Sequence, residues 1–148
     1  MEEPCDVNKV KERINYELQL NKDKYLAYVR ENRLVELRLH DRKVGIWIFL
    51  GPRADYFIVP GAFCSCEDFL VRVIGRKSRC FCKHLVAQKL AEEAGRYRQI
   101  SLESPAELVQ VLNEILKMGF SVTARRRLLS RDGVGGRWEV EGERDTRK

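Results

Sequence analysis

The sequence predicts an α+β fold: a small antiparallel β-meander that leads into a cysteine-rich knuckle and a helix, with flanking N- and C-terminal helices. Three observations predict it. Apolar residues recur at three- and four-residue spacing towards both ends of the chain. Between residues 34 and 59 the period changes to two, the signature of strands. Four of the five cysteines fall between residues 64 and 82. At 148 residues the chain fits one domain, large enough to bury roughly 70% of its unfolded surface without disulfide staples. Hydrophobic content of 44% and charged content of 34% argue against disordered, collagen-like and membrane classes.

Residues 1–33 read as an N-terminal helical segment. Asp6 suits an N-cap, and Val7, Val10, Ile14 and Leu18 form one apolar face. Asn21-Lys22-Asp23 interrupts it, and Tyr25, Tyr28 and Val29 continue as a second helical piece. Residues 34–95 hold the meander and the knuckle. Val35, Leu37 and Leu39 alternate with Glu36, Arg38 and His40, as in a half-buried strand. Asp41-Arg42-Lys43 supplies a turn, and Val44–Leu50 follows as a strand buried on both faces. Gly51-Pro52 breaks it, and Tyr56–Val59 makes a third strand stopped by Pro60-Gly61.

Past the cysteines, Leu85, Ala87, Leu90, Ala91 and Ala94 suit an amphipathic helix ended by Gly95. Residues 96–120 read as a C-terminal helix. Ser104-Pro105-Ala106-Glu107 is a capping box with proline at the first helical position, and Gly119 closes the stripe Leu108, Val111, Leu112, Ile115, Leu116. Residues 121–148 are basic and then glycine-rich, and read as a mobile tail.

Lys+Arg total 28 against 22 Asp+Glu, a formal +6 that hints at an acidic partner. The excess lies mainly around the cysteines and beyond residue 120. The acidic start Met1-Glu2-Glu3-Pro4-Cys5-Asp6 leads into no apolar stretch, so neither a targeting peptide nor a membrane span is expected. The expected location is intracellular, cytoplasmic in a prokaryote or archaeon and nuclear in a eukaryote. Disulfides are not expected in such a reducing compartment, and clustered cysteines there point to a metal. Cys5, remote in sequence, reads as an ordinary thiol. Arginine outnumbers lysine 18 to 10 and Asn plus Gln total nine, a composition that leans towards a thermophile.

Cys64-Ser65-Cys66, fifteen residues, then Cys82-Lys83-His84 gives C-x-C-x15-C-x-H. Three thiolates and an imidazole are a ligand set for a single tetrahedral zinc ion. Two cysteines flanking one residue in a tight turn can face one ion, and Cys82 and His84 can do so where the chain enters a helix. Free N–H groups at that helix start, with Arg76, Lys77, Arg79 and Lys83 nearby, are expected to lower the thiol pKa values. Cys80-Phe81-Cys82 is itself C-x-C, so a set in which Cys80 replaces Cys82 or His84 stays open, as does a core of plain buried thiols.

This pattern, continued to Ala87, resembles the SWIM zinc finger. It looks most like the small stand-alone SWIM proteins of the Shu complex. The matching stretches are Cys64-Ser65-Cys66-Glu67-Asp68-Phe69 and Cys82-Lys83-His84-Leu85-Val86-Ala87, about a third of the chain with the hairpin before and the helix after. The resemblance implies a non-catalytic adaptor that partners a RecA-family ATPase paralogue and promotes recombinase assembly on single-stranded DNA. It also marks Ala87, which lies one helical turn past His84 and so shares its face. A methyl there would let the knuckle approach the helix, and alanine is also simply a good helix former.

Four protein ligands fill a tetrahedral ion, so an enzyme is not expected. The chain has neither the deaminase H-x-E with P-C-x-x-C nor a G-x-x-x-x-G-K-[ST] phosphate loop, and Gly133-Val134-Gly135-Gly136 reads as a flexible turn. The alternative is a direct single-stranded nucleic-acid module. Arg72, Arg76, Lys77 and Arg79, interleaved with Phe69 and Phe81, suit phosphates and bases. Equally, they suit a solvated loop whose phenylalanines pack around the metal. Arg125-Arg126-Arg127 with Arg131 is a sharper basic cluster, for nucleic acid, an acidic partner or solvent. A redox sensor built on Cys80 is a third reading.

Overall fold

Asp6 opens the first helix with its side chain accepting the Lys9 amide at 2.8 Å. The computed structural model describes residues 5–129 of the chain, so Arg131 and the 133–136 glycine run lie outside the described residues. Helix α1 runs Val7–Arg30 and buries Val10, Ile14, Leu18, Tyr25 and Val29. The expected interruption is a kink inside one helix, at Asn21, whose backbone leaves helical values.

Strands β1 (Leu34–Leu39), β2 (Arg42–Leu50) and β3 (Asp55–Val59) form the antiparallel meander, and a two-residue β4 (Phe63–Cys64) pairs with β3. The β1–β2 turn sits one residue earlier than expected. Leu39 pairs with Arg42, and His40 and Asp41 both take left-handed φ, as a type I′ hairpin requires. At the break after β2, a Cβ on Gly51 would overlap the Ala54 carbonyl oxygen, which accepts the Gly51 amide.

A π-helical segment, Phe69–Gly75, occupies part of the stretch expected as a loop. Helix α2 (Lys83–Ala94) follows and ends on Gly95 in the left-handed region. Next comes β5 (Arg98–Leu102), which lies parallel to β1 and completes a five-stranded sheet in the order β4-β3-β2-β1-β5. The meander is thus part of a mixed sheet, and the 96–120 segment begins with a strand. Helix α3 (Pro105–Met118) starts on Ser104, which accepts the Glu107 amide, while the Glu107 carboxylate reaches back to the Glu103 amide. Helix α4 (Val122–Leu129) lies in the expected tail.

The sheet is covered on both faces. Trp47, Phe49 and Ile58 pack with α1 and α2 on one side, around a core that includes Cys64, Cys66 and Cys82. Val35, Leu37, Ile48, Ile100 and Leu102 pack with Val111, Ile115 and Ala124 of α3 and α4 on the other. The alternation in β2 accounts for its expected two-sided burial. No helix among the described residues is long and apolar enough to cross a membrane.

Candidate metal centre

The four expected ligands come together from two elements. Cys64 ends β4, and Ser65 locks the next step: its amide donates to the Phe57 carbonyl and its hydroxyl accepts the Phe57 amide, both at 3.0 Å. That double tie to β3 fixes the turn between Cys64 and Cys66. Cys66 Sγ then accepts the Phe69 amide at 3.3 Å where the π-helical segment begins. Cys82 is the N-cap of α2, in extended backbone, and His84 lies in the first turn.

All four residues are buried, and their ligand atoms lie within 4.8 Å of one another, a spacing at which they can hold a metal ion. His84 Nδ1 is 3.7 Å from Cys64 Sγ and 3.8 Å from Cys82 Sγ. The imidazole is held by rings, Phe49 at 4.4 Å and Tyr56 at 4.8 Å between centroids. Ala87, fully buried, belongs to the cluster that packs α2 against the sheet and α1.

The sulfurs form one hydrogen-bonded set. The contact with Cys66 and then Cys82, reinforced by burial, holds the Cys64 thiol far above its ordinary value. Cys66 is held far below it, because Cys64 and Cys82 both donate to its sulfur. At Cys82 the Cys64 contact lowers the pKa, but Cys66 and burial outweigh it and push the group up to about 12. The neighbouring sulfurs are the first cause of each of these shifts. The expected basic neighbours are turned elsewhere: Arg79 lies 5.1 Å over the Phe81 ring and Lys83 5.9 Å over Tyr28.

Two expectations about cysteine are corrected. Cys5 is bonded to Cys80 in a disulfide across 75 residues, so Cys5 is no ordinary thiol, and a disulfide is present where none was expected. The packing of α1 on α2 brings Cys5, just before α1, against the segment before α2, a proximity that separation in sequence conceals. Cys80 is engaged in that bridge, and the free cysteines Cys64, Cys66 and Cys82 are the ones gathered with His84.

The basic candidates divide. Arg72 pairs with Asp68 at 3.2 Å one turn away, and Arg76 and Lys77 are exposed. Arg125, expected as a contact for nucleic acid or a partner, instead binds the fully buried Asp55 with both Nε, at 3.0 Å, and Nη2. Arg127 chelates Glu107, at 2.7 and 2.9 Å, and reaches Glu103 at 3.6 Å. Both arginines therefore fasten α4 to the sheet and to α3. Arg126 is exposed.

No family model matches the chain, and no solved structure matches it. A protein of Archaeoglobus fulgidus, described as uncharacterized, is 37% identical over 46 residues, 31% of this chain and 38% of its own length. The match thus covers well under half of that relative.

Proposed function

We propose that the chain is a non-catalytic zinc-binding adaptor that partners a RecA-family recombinase paralogue and promotes homologous recombination. The observation that carries the metal identity is the donor set. With Zn–S near 2.3 Å and Zn–N near 2.0–2.1 Å, a tetrahedron has N···S edges of about 3.5–3.6 Å, a little shorter than the 3.7 and 3.8 Å between His84 Nδ1 and two of the sulfurs. Cys64, Cys66, Cys82 and His84 would hold the ion. Zinc so bound supplies a cross-link between β4 and α2 and keeps no position for water or substrate. In this reading the centre shapes a surface, and the resemblance of its motif to the small SWIM proteins supplies the class of partner.

A candidate surface supports the adaptor role. Val109 and Leu116 are exposed on α3, seven residues apart and so on one side, turned away from the core residues Val111 and Ile115. Exposed apolar side chains on one helix face are the kind of surface that a protein partner covers. Reciprocal pull-down from the native host should recover a RecA-like ATPase. Val109→Asp with Leu116→Asp should cut that recovery at least tenfold while leaving metal content unchanged. Full recovery by the double variant removes α3 from the interface, and absence of any such ATPase from the wild-type pull-down removes the adaptor reading.

A second reading, direct binding of single-stranded nucleic acid, is favoured by one observation: the basic residues of the 76–79 segment border a cleft lined by further cations from α1.

A further inference from the structure

We infer that the cleft between the first turns of α1 and the segment before α2 is a binding site for the phosphodiester backbone of single-stranded nucleic acid. The inference deepens the second reading above and rests on it. The cleft has a volume of about 350 Å³, and four cations line it: Lys9 and Arg13 from α1, Lys77 and Arg79 from the opposite wall. Lys9 and Arg13 are four residues apart and so share one helix face. Among the described residues that line it, none carries a carboxylate. Like charges gathered from two elements repel one another, and an anion between them relieves that repulsion.

The walls are built rather than incidental. The Cys5–Cys80 disulfide, itself part of the lining, ties the start of α1 to the opposite segment. That segment is folded back on the π-helical turn: the Ser78 amide donates to the Arg72 carbonyl at 2.8 Å and the Arg79 amide to the same oxygen at 3.3 Å. Lys77 is held at φ +56°, in the left-handed region that a lysine rarely adopts. Backbone held in that region collects at binding sites, where surrounding structure imposes it. Ser78 adds a hydroxyl to the lining.

The same geometry selects the backbone over the bases. No aromatic side chain is among the described residues that line the cleft, and Phe81, next in the chain to Cys80, is buried and covered by Arg79. Recognition here is therefore by charge, indifferent to sequence and steep in salt.

The test is fluorescence anisotropy with labelled dT and dA homopolymers of equal length across a salt series, with inorganic tripolyphosphate as competitor. Wild-type protein should bind both homopolymers alike. Arg13→Ala with Lys77→Ala, both exposed positions, should keep metal content and Tm. Losing two contacts should lower the slope of log K against log salt by about 1.4, at roughly 0.7 per phosphate of a single strand. Arg126→Ala should leave the slope unchanged. Wild-type binding with an unaltered slope in the double variant overturns the cleft and leaves the second reading standing. No homopolymer binding by the wild type overturns both. Tripolyphosphate binding that the double variant loses, without homopolymer binding, makes the cleft a small-anion site and overturns the inference.

Discussion

Cys66 and Cys80 sit fourteen residues apart in the same cysteine-rich stretch, yet the structure gives them opposite chemistry. Cys66 sits in the buried cluster with Cys64, Cys82 and His84, whereas Cys80 is spent in a disulfide. Substitution should separate them. Cys66→Ala or His84→Ala should drop zinc from a single ion per chain to below about a tenth, with loss of the fold around it, because metal binding and folding are coupled in such sites. Cys80→Ala should keep the ion. Metal analysis of the purified variants reads this directly, and full zinc in Cys82→Ala with none in Cys80→Ala would show that the ligand set is wrong. At this scale the four clustered residues were legible in sequence because holding one tetrahedral ion would impose a short C-x-C and C-x-H spacing. The pKa ordering was not legible, because it depends on which sulfur accepts from the other two.

At the scale of elements, Glu114 of α3 carries the start of α4. It accepts the Ser121 hydroxyl at 2.7 Å, the Thr123 amide at 3.0 Å and the Thr123 hydroxyl at 2.8 Å. Burial alone would raise its pKa, but these hydrogen bonds and one from Gln110 outweigh burial and hold the carboxyl below its ordinary value. A folded-state pKa below the unfolded value of about 4.3 gives stability that is present above that value and lost as pH falls through the folded one. Glu114→Gln should therefore cost about 1 kcal/mol, roughly 3 °C in Tm, at neutral pH. The two melting curves should converge below about pH 4, and a constant gap from pH 3 to 7 would remove Glu114 from this role. Helix α4 itself escaped the sequence reading because Arg125, Arg126 and Arg127 look like a solvated basic run. Its anchors Asp55, Glu107 and Glu114 lie on other elements. Strand β5 escaped for a similar reason: Arg98–Leu102 is short, and its pairing is with β1, some sixty residues earlier.

For the whole molecule, two cores on opposite faces of one sheet are closed by a disulfide that spans 75 residues. A bridge of that span removes about 4 kcal/mol of chain entropy from the denatured state, and such bridges commonly deliver 2–4 kcal/mol. Cys5→Ser should lower Tm by about 5–10 °C. Dithiothreitol should bring the wild type to the variant's value, with metal content unchanged in both. A Cys5→Ser Tm within about 2 °C of the wild type would show that the bridge contributes little. The sequence by itself determined the α+β class, the meander, the caps Asp6, Ser104, Gly95 and Gly119, and the four clustered ligands. Each of these is governed by contacts between residues close along the chain: side-chain period, turn conformation, coordination spacing. Only the tertiary structure decided that Cys5 meets Cys80, that Arg125 and Arg127 belong to ion pairs, and that Lys9 and Arg13 face Lys77 and Arg79 across a cleft. Those pairings join distant segments, and the packing of α1 on α2 and of α4 on α3 and β5, which local periodicity does not encode, selects them.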